Sequence, residues 1–460
     1  MADDNVDATQ PAKRQKVAAT PLGFHLTSLR GGTLQQNRHA RSLSSLLDGE
    51  FTHAILTNYK VDVPWLFGQC PRLAQVPVIL VHGGHQESMQ AACRQYKQVT
   101  VVAPPLPIPY GTHHTKMLIA FHSTFVRVAI FTANFVRNDW ECKTQGLWTQ
   151  DFSFKTSPTP SCAFESDLLD YMTALKAPAV TSLCRSSFPR YDFTAANVTL
   201  VASVPGVHQG IDAMHKYGHL RMKKLLQQHV APHNHPLVCQ YSSLGSLDEK
   251  WIGEFYKSFV PGSAATSSAT SMSQRVGKKK PTPTSYFPSP AQLHCIWPSV
   301  AAVQNSNEGW EAGRSLPCAL KNLKPFLHKY LRLWDPPAEL YRKHAMPHIK
   351  SYATIDPTTR SLDFVLLTSA NFSKAAWGAV EKGGTQLKIR SYELGVLFLP
   401  SQTTKALRLL PDDRDMMDVV RFPLPFQWPP TPYDPRTDEP WTWDLARADV
   451  DVYGLTYSVD

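Results

Sequence analysis

The sequence predicts a mixed α/β fold, two similar mixed-sheet α/β domains related by an internal repeat, on three observations. The chain is 460 residues long, short apolar runs recur between polar and helix-patterned stretches, and one block of residues returns at about half the chain length. At roughly 150 residues per domain, a chain of this size exceeds one ordinary core. The runs PVILVH (77–82), VTVVA (99–103), MLIAFH (117–122), TFVRVAIFT (124–132), VTLVAS (198–203), LDFVLLT (362–368) and ELGVLFL (393–399) have strand length. They show little alternation, as strands buried on both faces do. HLRMKKLLQQH (219–229) has helical spacing instead.

The repeat is the most informative feature. GTHHTK (111–116) precedes a run ending in TANFVRNDW (132–140), and MPHIK (346–350) precedes one ending in SANFSKAAW (369–377). Ala133-Asn134-Phe135 aligns with Ala370-Asn371-Phe372, and Trp140 with Trp377. His114 and His348 are 234 residues apart and Asn134 and Asn371 are 237 apart, so the copies differ by a three-residue insertion. Each domain is therefore expected to place one H-x-K and one asparagine in a shared cleft at the domain interface. The expected division is a disordered basic tail at 1–20, an N-terminal half at 21–206 and a C-terminal half at 207–460, with the boundary at Pro205-Gly206. Residues 261–285, rich in Ser, Thr and Pro, have too little apolar surface to pack and are expected to form a mobile insertion.

Composition narrows the function classes. Hydrophobic residues make up 43% and charged residues 18%, and no apolar run approaches the ~20 residues that span a bilayer, so a soluble chain is expected. The N-terminus is polar and has no apolar signal core, which predicts a reducing compartment. The eight cysteines include no C-x-x-C pair, unlike a disulfide framework or a zinc ribbon. The net charge of +10 is uneven, because residues 401–460 hold 6 Lys/Arg against 11 Asp/Glu and leave +15 on the first 400. That balance suits a polyanionic partner. Lys13, Arg14 and Lys16 in PAKRQK form a short basic cluster of the kind read by nuclear import receptors, which predicts a nuclear location.

The repeated residues have a chemistry in common. Cleaving a phosphodiester needs a nucleophile, a proton donor for the leaving oxygen, and positive groups around the phosphoryl oxygens. His114 and His348, Lys116 and Lys350, and Asn134 and Asn371 supply that set without a metal or cofactor. On an extended segment the His and Lys of H-x-K point to one face, so each motif presents both to one phosphate. One imidazole attacks phosphorus while the other donates a proton, and the roles then alternate as water resolves a phosphohistidine. A lone H-x-K is a common tripeptide. Two copies inside an aligned repeat have no packing reason to keep His, Lys and Asn together.

With these motifs in view, the chain resembles the phospholipase D superfamily, and within it the tyrosyl-DNA phosphodiesterase branch. Most of that superfamily carries H-x-K-x4-D, but Phe121 and Ile355 stand at the aspartate positions here. The asparagine version is that branch's own. YGTHHTKM (110–117), KTQGLW (143–148), AMPHIKSY (345–352), LTSANFSKAAWGA (367–379) and RSYELGVLFLP (390–400) look like its motifs, and the likeness runs from about residue 20 to about residue 445. The resemblance implies a phospholipase D-like fold and His114 as nucleophile, with His348 as general acid and base. Lys116, Lys350, Asn134 and Asn371 then hold the phosphate, and Glu393 and Gln145 stand behind the histidines, Glu393 behind His114 and Gln145 behind His348. It further implies DNA contacts at Tyr110, Ser243, Ser246 and Ser373, with a buried structural aromatic as the competing reading of Tyr110. His113 is expected to face away from the site. The implied substrate is single- or double-stranded DNA bearing a 3′ adduct, with a topoisomerase-derived peptide as leaving group, and a monomer suffices because one chain holds both halves.

Three rivals remain at this level. A zinc enzyme is suggested by His229, His233 and His235 and by His82 and His85, although no carboxylate accompanies them at ligand spacing. A phospholipase D-type phosphodiesterase or nuclease acting on another phosphodiester would share the motifs; the lipid form also calls for a membrane-docking surface, and none is evident. A non-catalytic DNA-binding scaffold would have no use for both histidines.

Overall fold

The computed structural model describes residues 21–158, 160–262, 287–403, 405–410 and 418–459. The expected basic tail and almost all of the expected 261–285 insertion lie outside the described residues.

The first sheet contains β1 (Phe24–Thr27), β2 (Ala40–Arg41), β3 (Phe51–Asn58), β4 (Val78–His82), β5 (Val99–Val102), β6 (Met117–His122), β7 (Phe125–Phe131) and β8 (Gly146–Ser153). Further along come β9 (Thr199–Ser203), β10 (Gly206–Gln209), β11 (Leu237–Gln240), β12 (Leu293–Trp297), β13 (Leu331–Leu333) and β14 (Ser351–Ile355). The last strands are β15 (Ser361–Thr368), β16 (Ala379–Glu381), β17 (Gln386–Ile389), β18 (Glu393–Phe398), β19 (Ala406–Leu409) and β20 (Val419–Phe422). The first sheet runs β2-β1-β8-β7-β6-β3-β4-β5, and the second runs β13-β12-β11-β14-β15-β18-β9 with β19 and β20 attached through β15. A small sheet, β10-β17-β16, stands apart.

The repeat seen in the motifs extends to this topology. Taken from its far edge, the first sheet reads β5-β4-β3-β6-β7-β8-β1, and each neighbouring pair has a counterpart in β13-β12-β11-β14-β15-β18-β9. The first two pairs are parallel and the other four antiparallel in both sheets. β9 therefore holds in the second sheet the place that β1 holds in the first. The expected boundary at Pro205-Gly206 falls after this strand, so the change of sheet comes earlier than the sequence suggested. Pro-Gly marks only the turn from β9 into β10, and such turns occur inside domains as readily as between them.

Every residue of β6, β14 and β18 is buried, which explains their unbroken apolar character. The helix Gly218–His229 turns Leu220, Met222, Leu225 and Leu226 inward, as helical spacing requires. One large core spans both sheets, from Ile119 and Trp148 to Phe364 and Leu397. Phe24 of the first sheet lies edge-on to Phe398 (6.0 Å) and Phe422 (5.4 Å) of the second. The halves also approach closely at Gly146, where a Cβ would come within 2.6 Å of Leu367 and 2.8 Å of Ile349. Only glycine lets the two sheets meet beside Gln145.

Candidate active site

Both H-x-K tripeptides lie on the extended segments that enter the equivalent strands β6 and β14. Each segment is tied to the opposite half. The His114 N–H donates to the Tyr392 carbonyl (3.0 Å) and the Tyr392 N–H to that of Thr112 (2.9 Å). The His348 N–H donates to the Thr144 carbonyl (2.9 Å) and the Thr144 N–H to that of Met346 (2.9 Å). Tyr392 immediately precedes Glu393, and Thr144 immediately precedes Gln145. These crossed bridges bring each orienting side chain to the other half's histidine: His114 Nδ1 is 3.0 Å from Glu393 Oε2, and His348 Nδ1 is 3.1 Å from Gln145 Oε1. In both cases Nδ1 is the nitrogen turned to the orienting partner, and Nε2 is on the far side of the ring.

Behind them sits a pair of hydroxyls that the sequence reading passed over. Thr132 donates to Gln145 Oε1 (2.7 Å) and accepts from the Gly146 N–H (3.0 Å). Ser369 donates to Glu393 Oε2 (2.5 Å) and accepts from the Leu394 N–H (3.1 Å). Each stands two residues before its asparagine, in Thr132-Ala133-Asn134 and Ser369-Ala370-Asn371, so the aligned repeat did contain the signal.

The two lysines are fully buried, and each curls back to the carbonyl of its own histidine, Lys116 at 2.8 Å and Lys350 at 2.7 Å. Lys350 Nζ is also 3.2 Å from both ring nitrogens of His348. The asparagines are held differently. Asn371 Oδ1 accepts the Ser242 N–H (3.0 Å), which leaves its NH2 to donate, whereas Asn134 donates from its backbone N–H (2.7 Å) and Nδ2 (2.9 Å) to Asp139.

Burial shapes the electrostatics. It pushes the Lys116 ammonium down to about 8 against the pull of Glu393 and Asp139, and it pushes Lys350 well below the usual lysine range. Burial lowers His114 too, opposed by Glu393, and lowers His348 further with help from Lys350, Lys116, Lys143 and His114. For Glu393, burial alone would raise the carboxyl, but the charge and hydrogen bond of His114, with Ser369 and Lys116, hold it below its ordinary value. The resting site therefore holds a neutral His114 donating Nδ1–H to an ionised carboxylate. That arrangement leaves a lone pair on Nε2.

Around this centre the other expected residues fall as follows. Tyr110 is 90% exposed with a left-handed φ of 62°, so it is not a buried structural aromatic. Ser243 is half-buried and Ser246 exposed, and their loop bridges Phe372 through Leu244 beside Ser373. Ser373 Oγ accepts the Ala376 N–H (3.2 Å) and caps the helix Lys374–Trp377. His113 is buried against Tyr392 (ring centroids 5.7 Å apart), and burial pushes its pKa down to about 3. Sequence reasoning missed Tyr59, whose ring centroid is 5.5 Å from that of His114 and 5.8 Å from Lys116 Nζ. It also missed the buried Lys143–Glu308 ion pair (2.5 Å) and Asp139.

One expectation needs correction. A carboxylate does accompany His233 and His235: β15 brings Asp363 to them, and a ligand atom from each residue lies within 4.8 Å of the others. Asp363 Oδ2 is 2.9 Å from His235 Nδ1 and 3.5 Å from His233 Nε2. The His235 N–H donates to His233 Nδ1 (3.1 Å), so the proton of that neutral ring sits on Nε2, facing the carboxylate. The contact from His235 Nδ1 holds Asp363 in place, whereas the buried His233 Nε2 makes no hydrogen bond.

A family model described as tyrosyl-DNA phosphodiesterase matches residues 23–434. The chain belongs to the tyrosyl-DNA phosphodiesterase family. It is 36% identical to tyrosyl-DNA phosphodiesterase 1 of Arabidopsis thaliana, a match covering 99% of this chain and 80% of that one. It is 34% identical to the Drosophila melanogaster protein of the same name (93% and 75%) and 31% identical to a probable tyrosyl-DNA phosphodiesterase of Caenorhabditis elegans (95% and 92%). The yeast tyrosyl-DNA phosphodiesterase crystal structure has the same fold, with a TM-score of 0.69 over 92% of this chain and 99% of that chain at 21% identity. The family is a phosphodiesterase family, and its phospholipase D-like α/β fold is the one described above.

Proposed function

We propose that this chain is a DNA-repair hydrolase that cleaves the phosphodiester between a DNA 3′ end and the tyrosine of a trapped topoisomerase I-type peptide, leaving a 3′-phosphate. The observation that carries this reading is the crossed pairing, His114 on Glu393 and His348 on Gln145, with Lys116 and Lys350 buried beside them. His114 Nε2 attacks phosphorus, the bond from phosphorus to the tyrosine oxygen breaks, and His348 Nε2 gives that oxygen its proton. Water then attacks the phosphohistidine, the P–N bond breaks, and the water proton passes to His348. Lys116, Lys350, Asn134 and Asn371 hold the phosphoryl oxygens throughout. The cations that depress His348 in the free site are offset when a phosphodiester anion settles among them, so substrate itself brings His348 into its proton-bearing form.

On the DNA side, Tyr110 stacks on a base and Ser243, Ser246 and Ser373 bind the backbone of single- or double-stranded 3′ ends. Lys13, Arg14 and Lys16 favour a nuclear location, and a monomer is sufficient because one chain supplies both halves. The chemistry asks for no cofactor or metal.

The test is a 3′-phosphotyrosyl oligonucleotide in chelator beside phosphatidylcholine. The expected result is tyrosine release and a 3′-phosphate in chelator, lost in His114→Ala, with no choline released. Loss of activity in chelator, or turnover of lipid in place of DNA, would overturn the reading.

A further inference from the structure

The two halves of the site share a backbone and differ in one charge. Asp139 stands five residues after Asn134, on the short helix Arg137–Glu141, and the repeat puts Ala376 at the same place after Asn371. Asp139 is buried, and its Oδ2 takes both hydrogen bonds from Asn134. The same oxygen lies 3.5 Å from His348 Nδ1, beside the 3.1 Å contact from Gln145. Among the described residues it is the one carboxylate within ion-pair distance of that ring.

We propose that Asp139 is a positioning residue that keeps the proton on His348 for protonation of the leaving group, giving the second histidine the counter-charge that Glu393 gives the first. The inference rests on His348 being the general acid. An amide can orient an imidazole, but it brings no net charge to hold a proton there. The other groups facing His348 do not fill that place: Lys350, Lys116 and Lys143 are cationic, His114 is neutral, Glu308 is engaged by Lys143, and Glu393 is engaged by His114 and Ser369.

The counter-charge also matters once substrate is bound: a carboxylate beside the ring opposes the lysines that depress His348, and an amide at that place does not.

Asp139→Asn tests this, because an asparagine oxygen still accepts both Asn134 hydrogen bonds while the charge is gone. Single-turnover release is measured against pH with two oligonucleotides, one bearing 3′-phosphotyrosine and one bearing a 3′-(p-nitrophenyl) phosphate whose leaving group departs without a proton. The expected result is an alkaline limb moved down by about 1–3 pH units for tyrosine. Tyrosine release near pH 7.5 should fall at least about tenfold, with little change for nitrophenol. Asp139→Asn combined with Gln145→Glu should move the limb back up, since a carboxylate again faces Nδ1.

An unmoved limb, or equal losses with both leaving groups, overturns the proposal. Should the single variant prove unstable, Asp139→Asn/Gln145→Glu read against Gln145→Glu alone carries the same test, because those two differ only in the Asp139 charge and the double variant should have the lower limb. Failure of the underlying reading looks different: the wild-type chain would release no tyrosine, or His348→Ala would leave the alkaline limb in place.

Discussion

Replacing Glu393 by Gln removes one charge and almost nothing else. The amide oxygen still accepts from Ser369 and from His114 Nδ1, and the result imitates what Gln145 already does for His348. The magnitude follows from the 3.0 Å contact between His114 and Glu393. A full pair of charges at that distance is worth about 5–6 kcal/mol at an effective dielectric of about 20. Roughly half a charge develops on the imidazole as the P–N bond forms, and the retained hydrogen bond returns up to about 1 kcal/mol. About 2 kcal/mol remains, or roughly a 30-fold slower first step. Rapid-quench single turnover on a 3′-phosphotyrosyl oligonucleotide measures that step directly. A loss under about threefold, or a loss matched by a collapse in melting temperature, would refute the account of Glu393 as the counter-charge to the nucleophile.

Three further outcomes are expected. His348→Asn should turn over slowly and accumulate an acid-labile DNA–protein adduct, because phenolate, with a conjugate-acid pKa near 10, leaves without full protonation while unactivated water attacks poorly; denaturing gels should show the adduct vanish when His114 is also replaced. Tyr110→Ala should weaken single-stranded substrate by roughly 5- to 150-fold, the range of ~1–3 kcal/mol for a lost base stack. A short phosphotyrosyl mimic should be spared and the melting temperature unchanged, since the ring is exposed; equal losses on both substrates would contradict the stacking role. Mild acid should destabilise the fold, because burial depresses His25 and His113 to about 3 and His294 to about 4 from the usual 6.5. The unfolded chain then binds more protons than the native one between those values, so stability is intact above about pH 6.5 and falls below it by up to about 1.4 kcal/mol per pH unit for each residue. Urea midpoints that stay level from pH 7.5 to pH 5 would count against this.

Much of the fold was legible because buried strands announce themselves. β4, β6 and β18 are continuous apolar runs, and they read as strands with nothing but length and composition. β1 (FHLT) and β13 (LRL) are too short and mixed to read alone, and they owe their conformation to partners distant in sequence. The site followed the same division. His, Lys and Asn were visible as repeated residues, whereas the ties from Tyr392 and Thr144 depend on how two sheets dock and leave no trace in spacing. Asp139 was hidden by the repeat itself, since an alignment that rewards matches passes over a position where Asp faces Ala376. Tyr59, just past the end of β3, carried no local signal at all.

The repeat makes the difference between the two carboxylates interpretable. In a symmetric frame two identical histidines would share one proton affinity, and neither would be committed to attack or to donation. Glu393 touches His114 with a direct bond and leaves Nε2 bare; Asp139 stands farther from His348, behind an amide, among three lysines. Loss of either carboxylate lowers the proton affinity of its own histidine, yet the consequences for rate are opposite. A nucleophile is wanted without its proton, so Glu393→Gln should move the acid limb of the pH profile down and its deficit should shrink toward low pH. An acid is wanted with its proton, so Asp139→Asn should move the alkaline limb down and its deficit should grow toward high pH. The same kind of substitution on two sides of one pseudo-symmetric site thus shifts different limbs, and which limb moves identifies which histidine attacks.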